Sequence, residues 1–146
     1  MATSITSAAA PKWIIDLHGI KEALSSRSNA KARIIDAIKS GEMWIIRSVQ
    51  HDLKIFEDLW ADFAAIKPKK YLDAPISVSA AAAALQETHG SSLLGGVPSF
   101  AHFEALALAR SKKCKLVTAG KGMADCQSIA KKCNLPTGDI VGISDV

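Results

Sequence analysis

Cysteine is sparse and odd in number: Cys114, Cys126 and Cys133, with no CxxC spacing. That excludes a disulfide framework and a cysteine-rich zinc site, and it points to a reducing cytoplasm. The three cysteines read as small buried hydrophobes. No apolar run reaches the ~18 residues that a membrane span requires. The leader MATSITSAAAP lacks a positive start and an apolar centre, so 1–11 reads as a disordered tail and not as a signal peptide. Aromatics are few, at 5%, and alanine is used heavily, which favours closely packed helices. No internal repeat is present. TAGKG at 118–122 lacks the spacing of a phosphate-binding P-loop, and no serine elbow or paired Ser–His or Cys–His nucleophile is legible. Nucleotide hydrolysis and covalent hydrolase chemistry are thereby set aside.

What the chain does contain is enough apolar sequence for one buried core. Over 146 residues it is 49% apolar and 22% charged, with a net charge of +4 and a pI near 9.0. These values suit one soluble domain over 12–146, mildly basic and compatible with a nucleic-acid partner.

KWIID (12–16) and MWIIR (43–47) are short, β-branched apolar runs that read as buried strands, as does CKLVT (114–118). DIVGIS (139–144) reads as a last strand. Ala30, Ile34, Ile35 and Ile38 share one helical face over 29–39, with Gly41 as a stop. Ser48 is placed to cap a helix whose apolar residues, Val49 through Phe63, repeat at three-to-four spacing as far as Pro68. Further helices are expected from Ser77 or Ser79 to Gly90, over 99–111, and over 123–133, with a glycine-containing loop at 91–98. Alternating strands and helices with continuous apolar strands predict an α/β three-layer architecture: a mainly parallel central sheet flanked by helices. In such sheets ligands bind beyond the carboxyl ends of the strands. That directs attention to Asp16, Ser48 and 118–122.

Three carboxylates then stand out. Asp16 ends the first strand. Asp52 falls within the apolar arc of its expected helix, away from Glu57, Asp58 and Asp62. Glu104 interrupts a helix that is apolar nearly all round. A carboxylate on a core-facing side requires a compensating partner. A cap, a solvated edge or a salt bridge would serve, and so would a shared divalent cation. Oxygen-only ligands suit Mg²⁺ or Mn²⁺, and such an ion supports phosphodiester hydrolysis.

On WIIDLHG, MWIIRSVQHDLKIF and FAHFEALALARSKKCKLVTAGKG, the chain resembles the PIN-domain family of toxin-type ribonucleases. The resemblance implies a three-layer PIN-like fold with a metal-dependent endoribonuclease activity. Mg²⁺ or Mn²⁺ would be held by Asp16, Asp52 and Glu104, with Thr118 and Lys121 contacting the RNA. It further implies a cognate antitoxin, a homodimer and a cytoplasmic location. The pattern departs from the family at several places. Leu17 and His18 replace small polar groups, His102 stands at the third acidic position, and Gly120 stands at the fourth, with Asp125 the nearest carboxylate. The alternative reading is therefore a degenerate PIN-like module that binds RNA or a protein without cleaving. His18 and His102 would suit zinc, iron or nickel, and equally one packed and one solvated histidine. The basic turns at 67–71 and 110–113 read as solvated surface that could face RNA.

Overall fold

A computed structural model describes residues 10–89 and 100–146. The expected loop at 91–98, the stop at Gly90 and most of the 1–11 tail lie outside the described residues.

The three runs read as buried strands are strands. β1 (Trp13–Ile15), β2 (Met43–Ile46) and β4 (Lys115–Val117) are joined by two short ones, β3 (Tyr71–Leu72) and β5 (Ile140–Val141). All pair in parallel, in the order β3-β2-β1-β4-β5. Successive side chains of a strand point to opposite faces. Ile14 and Ile15, and likewise Leu116 and Val117, are fully buried, so both faces of the sheet are covered, as a three-layer α/β fold requires. The covering helices are α1 (Leu17–Ser25), α2 (Asn29–Ser40), α3 (Arg47–Leu53), α4 (Glu57–Ala64), α5 (Ile76–His89), α6 (Phe100–Lys112) and α7 (Gly120–Lys132).

The chain builds β1, β2 and β3 outward in one direction, then returns through α5 and α6 to place β4 on the other side of β1. The order thus reverses between β1 and β4, and that crevice is where a ligand site is expected. Its two strands end on Asp16 and Thr118.

Two expectations are corrected. The helix expected from Ser48 to Pro68 is two helices, broken over 54–56. Ser48 does not cap it, because β2 passes directly into α3 with Ile46 at the cap position and no side-chain hydrogen bond there. The amide of Phe56 turns back to the Leu53 carbonyl at 2.9 Å, and Phe56 tucks under the Lys21 ammonium, 4.2 Å from its ring centre. The second correction is α1. The stretch 17–25 carries no expected element, yet it forms a helix that buries Gly19, Ile20, Ala23 and Leu24.

Candidate functional site at the carboxyl edge of the sheet

Asp16 is the structural centre of the β1–β4 crevice. As β1 ends, its carboxylate turns over the first turn of α1. Oδ1 accepts the Gly19 amide at 2.8 Å, which satisfies one of the orphan donors of that helix. Oδ2 accepts the Thr118 hydroxyl at 2.7 Å, so one side chain joins the carboxyl ends of neighbouring strands. Asp16 is 8% exposed and Thr118 not at all. Burial raises the Asp16 pKa above its ordinary value, and the bonds from Gly19 and Thr118 only partly offset that.

Two glycines let the elements close around this pair. A Cβ on Gly19 would stand 2.7 Å from the Val117 carbonyl oxygen, and one on Gly122 would stand 2.5 Å from the Thr118 hydroxyl and 2.7 Å from the His18 ring. Above Asp16 the His18 and His102 rings stack, 5.5 Å between centres and 28° between planes. His102 Nε2 is 3.4 Å from Asp125 Oδ2, and Lys121 Nζ is 3.4 Å from the same oxygen. That oxygen is buried and neither neighbour is aligned to donate to it.

The other expected ligands are elsewhere. Asp52 is exposed on α3, which corrects its core-facing assignment. With Val49 and Leu53 turned inward, Asp52 lies about 80° from their midline at roughly 100° per residue. The assignment presupposed an unbroken helix running on to Phe63. Glu104 is half-buried and accepts a 3.4 Å hydrogen bond from the Ser79 hydroxyl. It lies about 200° around α6 from His102, so it faces α5 and not the crevice. Asp16 and Asp125 are therefore the carboxylates that the fold brings around His102, on which both act electrostatically. Among the described residues no group of three His, Cys, Asp or Glu side chains is placed to hold a metal ion. The residues present do not fit Mg²⁺ or Mn²⁺ as the resemblance implies, and the histidine pair does not complete a zinc-type site. Thr118 is buried and spends its proton on Asp16, so it offers nothing to a substrate. Lys121 does face solvent, with its side chain 77% exposed.

Cys126, His102 and Asp125 lie together like a nucleophile, base and orienting acid, with Sγ 3.9 Å from His102 Nδ1. The likeness ends at the thiol. Cys126 is fully buried, and that burial, reinforced by Asp16 and Asp125, pushes its pKa far above the usual thiol range. It remains a thiol and packs as a hydrophobe.

Outside this buried cluster the edge opens into a shallow depression of about 260 Å³, lined by His18, Lys21, Glu22, Ser25, Ala119 and Gly120. It runs along α1 from His18 to Ser25, against the N-terminal turn of α7. The α1 turn is capped by Asp16, whereas Ala119 supplies no side-chain cap to α7. Lys21 was not legible as part of the site because α1 was not. Its signal is the four-residue step from Leu17, one helical turn beyond Asp16.

No family model and no curated protein matches this chain. Its chemistry therefore has to be read from the geometry.

The His102 environment gives a pH expectation. Burial holds the His102 imidazole below its ordinary 6.5, against the opposing pull of Asp125 and Asp16. Stability from keeping it neutral is present in full above the unfolded value and is lost as pH falls through the folded one. Asp16 has the opposite sign: its contribution is complete below its ordinary 3.8 and is lost as pH rises through the raised folded value. Urea unfolding from about pH 7 to about pH 5.5 should thus show a fall due to His102, set against any rise due to Asp16. The fall should be smaller in His102→Phe, which keeps a ring against His18. An identical fall in both proteins would show that His102 does not govern it.

Proposed function

We propose that the chain is a PIN-like module that binds single-stranded RNA at the carboxyl edge of its sheet and does not cleave it. The observation that carries this reading is the state of Asp16. It stands at the switch point, where a ligand-binding acid belongs, but it caps α1, holds Thr118, and has histidines and not carboxylates above it. Asp16 and Asp125 are at most two carboxylates, and two do little to offset the dehydration of Mg²⁺. The neighbouring depression instead offers Lys21 and His18 beside Glu22, and the uncapped start of α7, where the largely exposed Lys121 also lies near Asp125. Backbone N–H groups at a helix start and flanking lysines suit phosphate oxygens. The net charge of +4 is in keeping with that partner. No helix among the described residues is long and apolar enough to cross a membrane, and three free cysteines support a cytoplasmic location.

The test uses a fluorescein-labelled uridine oligomer, read by polarisation for binding and on a denaturing gel for cutting, with and without Mn²⁺. The expected result is salt-dependent binding, no cut strand, and about tenfold weaker binding in Lys21→Gln/Lys121→Glu. Unchanged binding in that variant would remove the site. Cutting that requires Mn²⁺ and is lost in Asp16→Asn would replace this reading with the hydrolytic one.

A further inference from the structure

A second concavity lies at the amino edge of the sheet, far from Asp16 along the strands. It is about 810 Å³ in volume, and its apolar floor includes Trp13, Leu106, Leu116, Leu135 and Ile140. An adjoining depression of about 320 Å³ shares Leu106, Arg110 and Leu135 with it and continues between α5 and α6 past Val78 and Leu85. The larger volume falls in the range of small-molecule sites, roughly 300–1,000 Å³.

Charge is unevenly distributed around it. Lys12 is taken up by Glu42 at 2.7 Å. Arg110 in α6, Lys113 on the α6–β4 turn and Lys115 at the start of β4 have no ion-pair partner among the described residues. Asp139 and Asp145 also line it; Asp139 acts electrostatically on Cys114, which lies between Lys113 and Lys115, and the Asp145 carboxylate accepts the Gly142 amide at 3.0 Å. The α6 end of the trough thus carries three cations, Arg110, Lys113 and Lys115, against the single nearby acid Asp139.

The backbone adds an independent observation. Among the described residues, only two that are not glycine have positive φ, Lys113 at 54° and Asn134 at 56°, and both line this groove. Lys113 closes α6: its amide reaches the Arg110 carbonyl at 3.2 Å, and the Cys114 amide reaches that of Ala109 at 3.0 Å. Glycine occupies such a closing position without steric conflict, and a lysine does so against the preference of its Cβ. The helix end thereby fixes the backbone of Lys113 at the groove's rim.

We infer that this groove binds an amphipathic carboxylate, with an apolar body laid on Trp13, Leu106 and Leu135 and the carboxylate held by Arg110 and Lys113. An alkyl chain and an aryl ring are two forms of the same chemistry. The site is independent of the RNA reading, since it occupies the opposite edge of the sheet.

The experiment titrates the full chain with laurate and with 2-naphthoate, each beside its alcohol analogue, dodecanol or 2-naphthalenemethanol. Calorimetry gives affinity, and ¹H–¹⁵N spectra locate the ligand. At least one acid should bind, shifting the amides of Leu106, Leu135 and Ile140, with its alcohol about tenfold weaker or more. Which acid binds identifies the body. Lys113→Gly should weaken the acid by about tenfold while leaving the melting temperature unchanged or higher, which separates lost binding from lost folding. Failure of both acids, equal affinity for acid and alcohol, shifts confined to the carboxyl edge, or undiminished binding in Lys113→Gly would each overturn the assignment.

Discussion

Replacing Gly19 with valine is expected to cost about 3 kcal/mol or more, read as a lowered urea midpoint with an unchanged slope. Gly19 lies in the first turn of α1, where that helix crosses the end of β4. Its absent side chain is what lets the crossing happen. A Cβ there would approach the Val117 carbonyl to 2.7 Å and the Ile15 Cγ1 to 2.7 Å. The isoleucine can turn, but the carbonyl belongs to β4 and cannot move without shifting the sheet. Valine adds two methyl groups to a space that cannot hold one carbon. Alanine should cost less, because its better helix propensity returns up to ~1 kcal/mol. Gly138, around which nothing lies within 4 Å, provides the control, and Gly138→Ala should stay within about 0.5 kcal/mol of wild type. Equal midpoints for Gly19→Val and wild type would mean that α1 does not press on the sheet.

The same crossing explains what could be read from the sequence. β1, β2 and β4 were legible because each carries a run of buried apolar residues on both faces, in β4 the pair Leu116 and Val117 after the exposed Lys115. β5 was also read, within the longer stretch 139–144, whereas β3 was missed. Each contributes two residues, too few for any period, and β3 follows the lysines of 67–70, which read as surface. α1 was illegible for a different reason. Its start signal is Asp16 itself, and a carboxylate at a strand end reads as a ligand as readily as a cap. The break between α3 and α4 involves neither glycine nor proline, only Phe56 finding a place beside Lys21. A tertiary contact of that kind leaves no local signature. Asp52 was misassigned through that break, because the arc that carried it inward was drawn on a helix that does not continue. Glu104 was correctly read as an acid on a largely buried helix, but the direction it faces depends on α5. The pairing of His18 with His102 joins residues 84 positions apart, and nothing in either neighbourhood announces it.

Asp16→Ala should lower stability by at most about 2–4 kcal/mol, from a lost cap and an abandoned buried hydroxyl. Removing an N-cap acceptor costs ~1 kcal/mol, and leaving the Thr118 hydroxyl without its acceptor costs about 1–3 kcal/mol more, since Thr118 is fully buried. Part of the loss is returned because a carboxylate that burial disfavours is gone, consistent with its raised pKa. The substitution Asp16→Asn separates these contributions. It keeps an oxygen for the Gly19 amide and asks the Thr118 hydroxyl to accept where it had donated, so this variant should retain most of the stability. The response to Mn²⁺ divides the two readings of the residue further. If Asp16 is a structural acid, Asp16→Asn should fold, bind the uridine oligomer like wild type and show no altered response to Mn²⁺. If the carboxylate serves a metal, the same variant should keep its fold yet lose a Mn²⁺-dependent rise in melting temperature that wild type displays. Thr118→Val supplies the partner measurement: it should cost less than Asp16→Ala, because the cap survives, and the double variant should cost less than the sum of the two. Additivity would show that the bond between β1 and β4 contributes nothing, and Asp16 would then be only the cap of α1.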